Sequence, residues 1–358
     1  MPSRRSVRLL IVALCLALPT ADAFGQRRSC SAPSLAQVAA RPGAFRFNMI
    51  RPGVYQAVST GVPGPVTRPV VIVNDSDVVV IDPTASAAEA CALIADIRTL
   101  TPKPIRTVIN THFHFDHSDG NEVFPADVEI IAHEYTRQMI ASGASISGRG
   151  VEFINDVVNP VVALLMRQTD TVGNPARRDS LRQPAVKLQQ MLTAIPQTVP
   201  TPPTKTVVHE LNLVHSPRQI RLLHVGRGHT AGDLVVLLPS ERILITGDLL
   251  QSDIPYMGDG YFPEWIASLD SLKKLDFDIV LPGHQDPFTQ RERIDFLQDY
   301  LRDLWSQAGV LHSAGVSAAD AAQRIDLRRH TPHFPAVATV GVNPYATRRI
   351  WEILDGKQ

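Results

Sequence analysis

The chain has 358 residues, with 35 basic and 35 acidic side chains and a formal net charge of zero. That balance argues against nucleic acid or an anionic membrane surface as partner, since both call for a basic surplus. Hydrophobic residues make up 44% of the chain, enough for a large soluble core in one large domain or two modest ones.

Residues 1–23 read as a cleaved signal peptide. Arg4, Arg5 and Arg8 form a basic start, and Leu9 to Leu18 is an apolar run too short to span a bilayer as a helix. Ala21-Asp22-Ala23 fits a small-x-small cleavage site before Phe24. Ser3-Arg4-Arg5 also makes a partial twin-arginine signal, although an ordinary secretory signal is the plainer reading. Either route leads to the periplasm or outside the cell, with no stable membrane anchor. Cys15 leaves with the signal. Cys30 and Cys91 remain, and an oxidising compartment permits them to pair, while the sequence leaves their separation in space open.

Residues 24–52 read as a lead-in and 53–358 as the main domain. Strands are expected at Gly53 to Ser59, Arg68 to Asn74 and Asp77 to Ile81, with Asn74-Asp75-Ser76 as hairpin chemistry. Val78 to Ile81 is continuously apolar, as for a strand buried on both faces, and Asp82-Pro83 stops it. Helical spacing runs from Ala85 to Leu100 with Ser86 as N-cap. A β-branched strand, Ile105 to Asn110, precedes a turn at Ser118 to Asn121. A strand at Val128 to Ala132 and a helix at Glu134 to Ala141 follow.

From 142 to 204 the pattern changes to helices at Val151 to Met166 and Ser180 to Leu192, closed by a proline-rich connector, Ile195 to Pro203. This segment reads as a helical insertion. Two roles suit it, a cover or homo-oligomer contact near the active-site mouth, or a subdomain packed on the core with no substrate role. Strands resume at Thr206 to Leu213, Gln219 to Val225, Asp233 to Leu238 and Arg242 to Thr246. A helix at Phe262 to Leu275 and a strand at Phe277 to Leu281 come next. The tail is helical, at Arg291 to Ala308, Ser317 to Leu327 and Ala346 to Leu354.

Between the strand at Ile105 and the turn at Ser118 lies Thr111-His112-Phe113-His114-Phe115-Asp116-His117. Four candidate ligands fall within six residues, and imidazole with carboxylate suits zinc. A loop after a strand is where α/β folds place their chemistry. Three further sites end or join strands: Gly228-His229-Thr230-Ala231-Gly232-Asp233, Thr246-Gly247-Asp248 and Pro282-Gly283-His284. Each sets a His or Asp beside glycine, which permits close approach. Together they offer seven ligands, divided most naturally between two zinc ions with one bridging carboxylate.

As a set these motifs resemble the metallo-β-lactamase-fold hydrolase superfamily, over roughly Gly53 to Pro287. The resemblance implies a four-layer αββα sandwich carrying the helical insertion and the helical C-terminal tail, with a dinuclear site along one edge. It implies that His112, His114 and His229 hold the first zinc, that Asp116, His117 and His284 hold the second, and that Asp248 bridges. Asp82 would support the loop from behind. The activity implied is hydrolysis of a small ester, thioester, lactone or cyclic amide by a metal-bridging hydroxide, with Asp116 orienting the hydroxide and relaying a proton. The β-lactamase branches usually carry Cys, Ser or another arrangement where Asp248 stands. The bridging Asp looks like the glyoxalase II, lactonase and quinoprotein-relay branches, the last being nearest for an exported chain. The alternatives are a β-lactamase and a persulfide-dioxygenase-like enzyme with one iron.

Of the other histidines, His224 is a rival ligand without the Gly-His-Thr context. His133, His209, His215, His312, His330 and His333 suit ordinary hydrogen bonding. Tyr256, on a glycine-rich aromatic loop after Asp248, and His333 are candidates to reach a small-molecule substrate, although a structural crossover is the plainer reading of that loop.

Overall fold

The computed structural model describes residues 27–32, 35, 43–60, 66–215 and 217–357, so the expected signal peptide lies outside the described residues. The first sheet runs in chain order: β1 (Phe45–Arg51), β2 (Val54–Ser59), β3 (Val70–Val73), β4 (Val78–Ile81), β5 (Ile105–Ile109), β6 (Glu129–His133) and β7 (Lys205–Val207). The second sheet is made from β8 (Glu210–His215), β9 (Arg218–Leu223), β10 (Val235–Leu238), β11 (Ile243–Gly247) and β12 (Ile279–Pro282), in the order β12-β11-β10-β9-β8.

The period of two along each strand builds the layers. In β4, Val79 and Ile81 face the second sheet, where they meet Ile220, Val236 and Ile245 in an apolar interlayer core. Val78 and Val80 face the other way, against Ala90, Leu93 and Ile97 of α1 (Ala87–Leu100). Ser86 caps that helix, accepting a hydrogen bond from Glu89 N. The chain continues through α2 (Phe115–Ser118), α3 (Glu134–Ala141), α4 (Ala144–Ser147), α5 (Arg149–Thr171) and α6 (Pro175–Ala194). On the far face of the second sheet, Leu237, Leu244 and Val280 pack on Trp265 and Leu269 of α7 (Phe262–Leu272) and Leu301 of α8 (Arg293–Ser313). The short α9 (Ala318–Arg324) and α10 (Pro344–Leu354) complete that layer. The result is the expected sequence of helix, sheet, sheet, helix.

Several element ends shift, and Phe115–Ser118 and Asp119–Val123 are short helical turns where the sequence reading had a loop and a turn; two differences change the sheets themselves. Thr206 to Leu213 is not one strand. β7 pairs parallel with β6, and β8 pairs antiparallel with β9 in the other sheet. The chain changes sheets at Val208 and His209, both exposed. β1 lies within the lead-in and pairs with β2 at the sheet edge. Its interleaved Arg46, Asn48 and Arg51 hide it from a hydrophobicity reading, as edge strands often are hidden.

α5 and α6 form an antiparallel pair closed by Val158, Val162, Leu188 and Leu192. The pair is seated on the first sheet's end through Ile154 and Met191 against Ala85 and Phe115. It is tied to α10 by Tyr345, whose hydroxyl donates to Asp156 at 2.6 Å, and by the Arg149–Glu352 ion pair at 2.8 Å.

Cys30 and Cys91 are joined in a disulfide that fastens the N-terminal segment to α1 across 61 residues of chain. Closing a loop of that length restricts the unfolded state by up to about 4 kcal/mol in the chain-entropy account, and measured gains usually fall short of it. Reduction is expected to lower unfolding stability by about 2–4 kcal/mol, read as a shift in denaturant midpoint with and without reductant.

Candidate metal centre

Strands β4, β5, β9, β11 and β12 all point their C-terminal ends to one edge of the sandwich, and the expected ligands stand on the segments that leave them. The backbone there is pulled into unusual shapes. Asp82 has a φ of 57° and Thr84 a φ of 79°, left-handed values that cost a non-glycine residue on the order of 1 kcal/mol or more. The return is the position of the Asp82 carboxylate. It accepts from Thr111 N at 2.7 Å, from Thr111 Oγ1 at 2.8 Å and from His117 Nδ1 at 2.8 Å.

That network sets which nitrogen of each ring faces inward. His117 Nδ1–H donates to Asp82, so Nε2 is free. His112 Nδ1 donates to Thr111 Oγ1 at 3.1 Å, which leaves its Nε2 free as well. His114 is reversed: Nε2 donates to Asp259 Oδ2 at 3.0 Å and Nδ1 faces the centre. Thr67 Oγ1 donates to Asp116 Oδ2 at 2.7 Å. His112, His114, His117 and Asp116 are therefore braced from behind, the arrangement that fixes tautomer and orientation in metal sites, whereas His229 Nδ1 and His284 Nδ1 make no hydrogen bond among the described residues.

The free atoms converge into three overlapping groups: His112 with His114 and His229, His112 with His117 and Asp248, and Asp116 with His117 and His284. His114 Nδ1 lies 3.0 Å from His112 Nε2 and 3.1 Å from His229 Nε2. His117 Nε2 lies 3.3 Å from His284 Nε2 and 3.4 Å from Asp116 Oδ2. Donors at zinc distances around one tetrahedral cation stand about 3.3 Å apart, so the spacing fits a shared cation. Asp248 faces both groups, with Oδ2 at 3.2 Å from His284 and 3.6 Å from His229, and Oδ1 at 3.5 Å from His117. Oδ1 is buried and makes no hydrogen bond among the described residues. A buried acceptor without a partner is costly, and a cation would supply one.

Glycine makes this approach possible. A Cβ on Gly283 would collide with Asp248 Oδ1 and come within 2.9 Å of His117 Cε1, and one on Gly247, at φ +50°, would strike Thr111.

All seven expected ligands thus meet, and Asp82 stands behind them as expected. The other histidines do not join. His224 donates from Nδ1 to the Asp233 carbonyl at 2.9 Å and stacks on His133 at 4.1 Å. His215, His312 and His330 pair with Asp77, Asp355 and Asp303. His333 stacks on Phe296, 3.5 Å between ring centroids, and lines no cavity at the centre. Tyr256 does line the cavity of about 230 Å³ at the centre, together with Asp116, Asp248 and His284. Its ring stacks on Phe153 at 4.8 Å, and burial raises the phenol above its ordinary pKa, so it is a neutral wall rather than a base.

Asp259, three residues after Tyr256, is a residue that the sequence reading does not single out. It lies 145 residues from His114, and no local signal joins the two. Although burial alone would raise its pKa, its bond and charge interaction with His114 hold it below the ordinary carboxylate value. Asp259→Ala is expected to weaken metal affinity about 10–100-fold without unfolding the protein. Competition against a chromogenic chelator, beside a circular dichroism melt, would check it.

Comparison with known proteins gives a consistent picture. A family model described as the Metallo-beta-lactamase superfamily matches residues 64–284, the span that holds every expected ligand. The chain is 24% identical over 235 residues to the linear primary-alkylsulfatase of Pseudomonas sp. (strain ATCC 19151), covering 63% of this chain and 42% of that one. It is 25% identical over 245 residues to the 2,4-dinitroanisole O-demethylase subunit alpha of Nocardioides sp. (strain JS1661), covering 67% and 57%. The chain therefore spans about half the length of these curated relatives. Among solved structures, a metallo-beta-lactamase from Pontibacter korlensis superposes with a TM-score of 0.53 at 16% identity, over 72% of this chain and 99% of that one, a likeness of fold.

Proposed function

The chain belongs to the metallo-beta-lactamase superfamily, and from that premise we propose that it is an exported hydrolase holding two zinc ions and cleaving a small ester-type bond. The observation that carries this reading is Asp248, whose two oxygens face the His114–His229 and His117–His284 groups together. His112, His114 and His229 would hold one ion, Asp116, His117 and His284 the other, and Asp248 both. Bound zinc supplies Lewis acidity and acidifies water from 15.7 toward about 7.

The protein's own groups do the rest. Asp82 and Asp259 keep His117 and His114 in one tautomer each. Thr67 fixes Asp116 at the cavity wall, where its carboxylate is placed to take a proton and pass it to a leaving group. Phe153 and Tyr256 shield the cavity from water. Export is supported by the Cys30–Cys91 disulfide, since such bonds persist in oxidising compartments.

A carboxylic ester, thioester or lactone suits this site. The likeness to a linear primary-alkylsulfatase brings a sulfate ester in as the second reading. Metal analysis of protein purified without chelator should find about two zinc per chain. A panel of esters, thioesters, lactones, an alkyl sulfate and a chromogenic cephalosporin would then sort the substrate. About one iron per chain would overturn the reading in favour of oxygen-dependent thiol chemistry.

A further inference from the structure

Beside the metal-centre cavity lies a second chamber of about 190 Å³, and Phe115, Asp116, Phe153 and Ile154 line both. Its other walls come from distant parts of the chain. Ala85 belongs to the turn before α1, Val158 to α5, Leu188 and Met191 to α6. Most of what they present is hydrocarbon. Of the polar side chains that enter it, the Thr67 hydroxyl donates to Asp116 and the Glu89 carboxylate accepts from Ala85 N at 3.3 Å, while Ser59 and Thr84, the latter with a buried hydroxyl that has no partner among the described residues, also line it. A space of this character gives water few partners and favours an apolar guest.

We propose that this chamber receives an alkyl or acyl chain of about six to eight carbons. The chain would be one end of an ester whose reacting bond lies across Asp116 in the metal-centre cavity. This names the substrate class for the hydrolase reading and rests on it. The argument is continuity: a hydrocarbon chain that fills the chamber must leave it past Phe115, Phe153 and Ile154, and those same side chains bound the site of reaction. The length follows from volume. At roughly the 30 Å³ that a water takes in the liquid, about six chain atoms fill the space. α5 and α6 thereby gain a role as the wall that measures chain length.

The test is a series of p-nitrophenyl esters from acetate to dodecanoate on the zinc-loaded protein, beside calorimetric titration with n-alkanols from butanol to decanol. Burial of each methylene should raise kcat/KM about fourfold up to hexanoate or octanoate, after which the gain stops. Alkanol affinity should climb over the same range. Leu188→Trp should lower the octanoate-to-acetate ratio of kcat/KM at least tenfold, and Leu188→Ala should move the plateau to longer chains. Esters turned over at rates indifferent to chain length, with no binding of alkanols, would overturn the chamber and leave the hydrolase reading standing. Alkanol affinity that climbs with length, with no cleavage of these esters or of the matching alkyl sulfates, thioesters and lactones, would sustain the chamber and overturn the hydrolase reading.

Discussion

Asp248→Ala should take the protein from two metal ions per chain to one and lower kcat/KM by about 10³-fold or more. Among the described residues Asp248 is the only side chain whose carboxylate faces both His groups, so its loss is felt by both. The group of His112, His114 and His229 keeps three nitrogens and the bracing of Thr111 and Asp259, and should still hold an ion. The other group keeps Asp116, His117 and His284 but loses the anion that offsets two buried imidazoles and a second cation. One electrostatic donor at a reacting centre is worth about 10²–10³ in rate, and removing a metal removes more than one. Elemental analysis and steady-state kinetics on the same preparation give both numbers. A variant with two metal ions and full turnover would sink the dinuclear reading. Gly283→Ala offers the steric counterpart, since its methyl would displace the same carboxylate without removing it.

The ligands were legible in the sequence because each sits in a short motif beside glycine or in a dense run, and because strand ends in an α/β fold share an edge. The layers were legible through strands such as Val78 to Ile81, apolar on both faces. What stayed hidden depends on contacts between distant parts of the chain. Nothing near Asp259 marks it as the partner of His114 rather than a turn residue. Cys30 and Cys91 could pair only if the fold brought the N-terminal segment onto α1. β7 and β8 read as one strand because a change of sheet at exposed Val208 and His209 leaves the local pattern intact. The chamber against Asp116 is assembled from side chains of β1, α1, α5 and α6, which no window of sequence contains together.

Metal uptake by stripped protein is expected to release protons near pH 7, and its affinity should fall as pH falls. The two His groups differ in charge when no cation is bound. Burial opposes a proton on His117, but the carboxylates of Asp116, Asp248 and Asp82 outweigh it and hold its pKa well above the ordinary 6.5. His284 is raised too, against burial, by Asp248 and Asp116. His112 goes the other way, held well below 6.5 by burial and by the neighbouring imidazoles, and His229 is pushed down to about 3, mainly by burial. The stripped centre thus holds protons on His117 and His284 to higher pH than an ordinary imidazole would, and gives them up more readily on His112 and His229. A nitrogen must shed its proton to take a metal, so binding expels the protons that His117 and His284 hold. Below the raised pKa values each proton costs tenfold in affinity per pH unit, and affinity therefore rises with pH. The pair of raised histidines also stabilises the stripped fold, fully below pH 6.5 and progressively less as pH climbs through their folded pKa values. The loaded protein gains in the opposite direction, so the melting gap between loaded and stripped forms should widen from pH 6 to pH 8. Calorimetric zinc titrations in buffers of different ionisation enthalpy count the protons directly. A count of zero would mean that His117 and His284 are already neutral, and that Asp82, Asp116 and Asp248 do not set the charge of this centre.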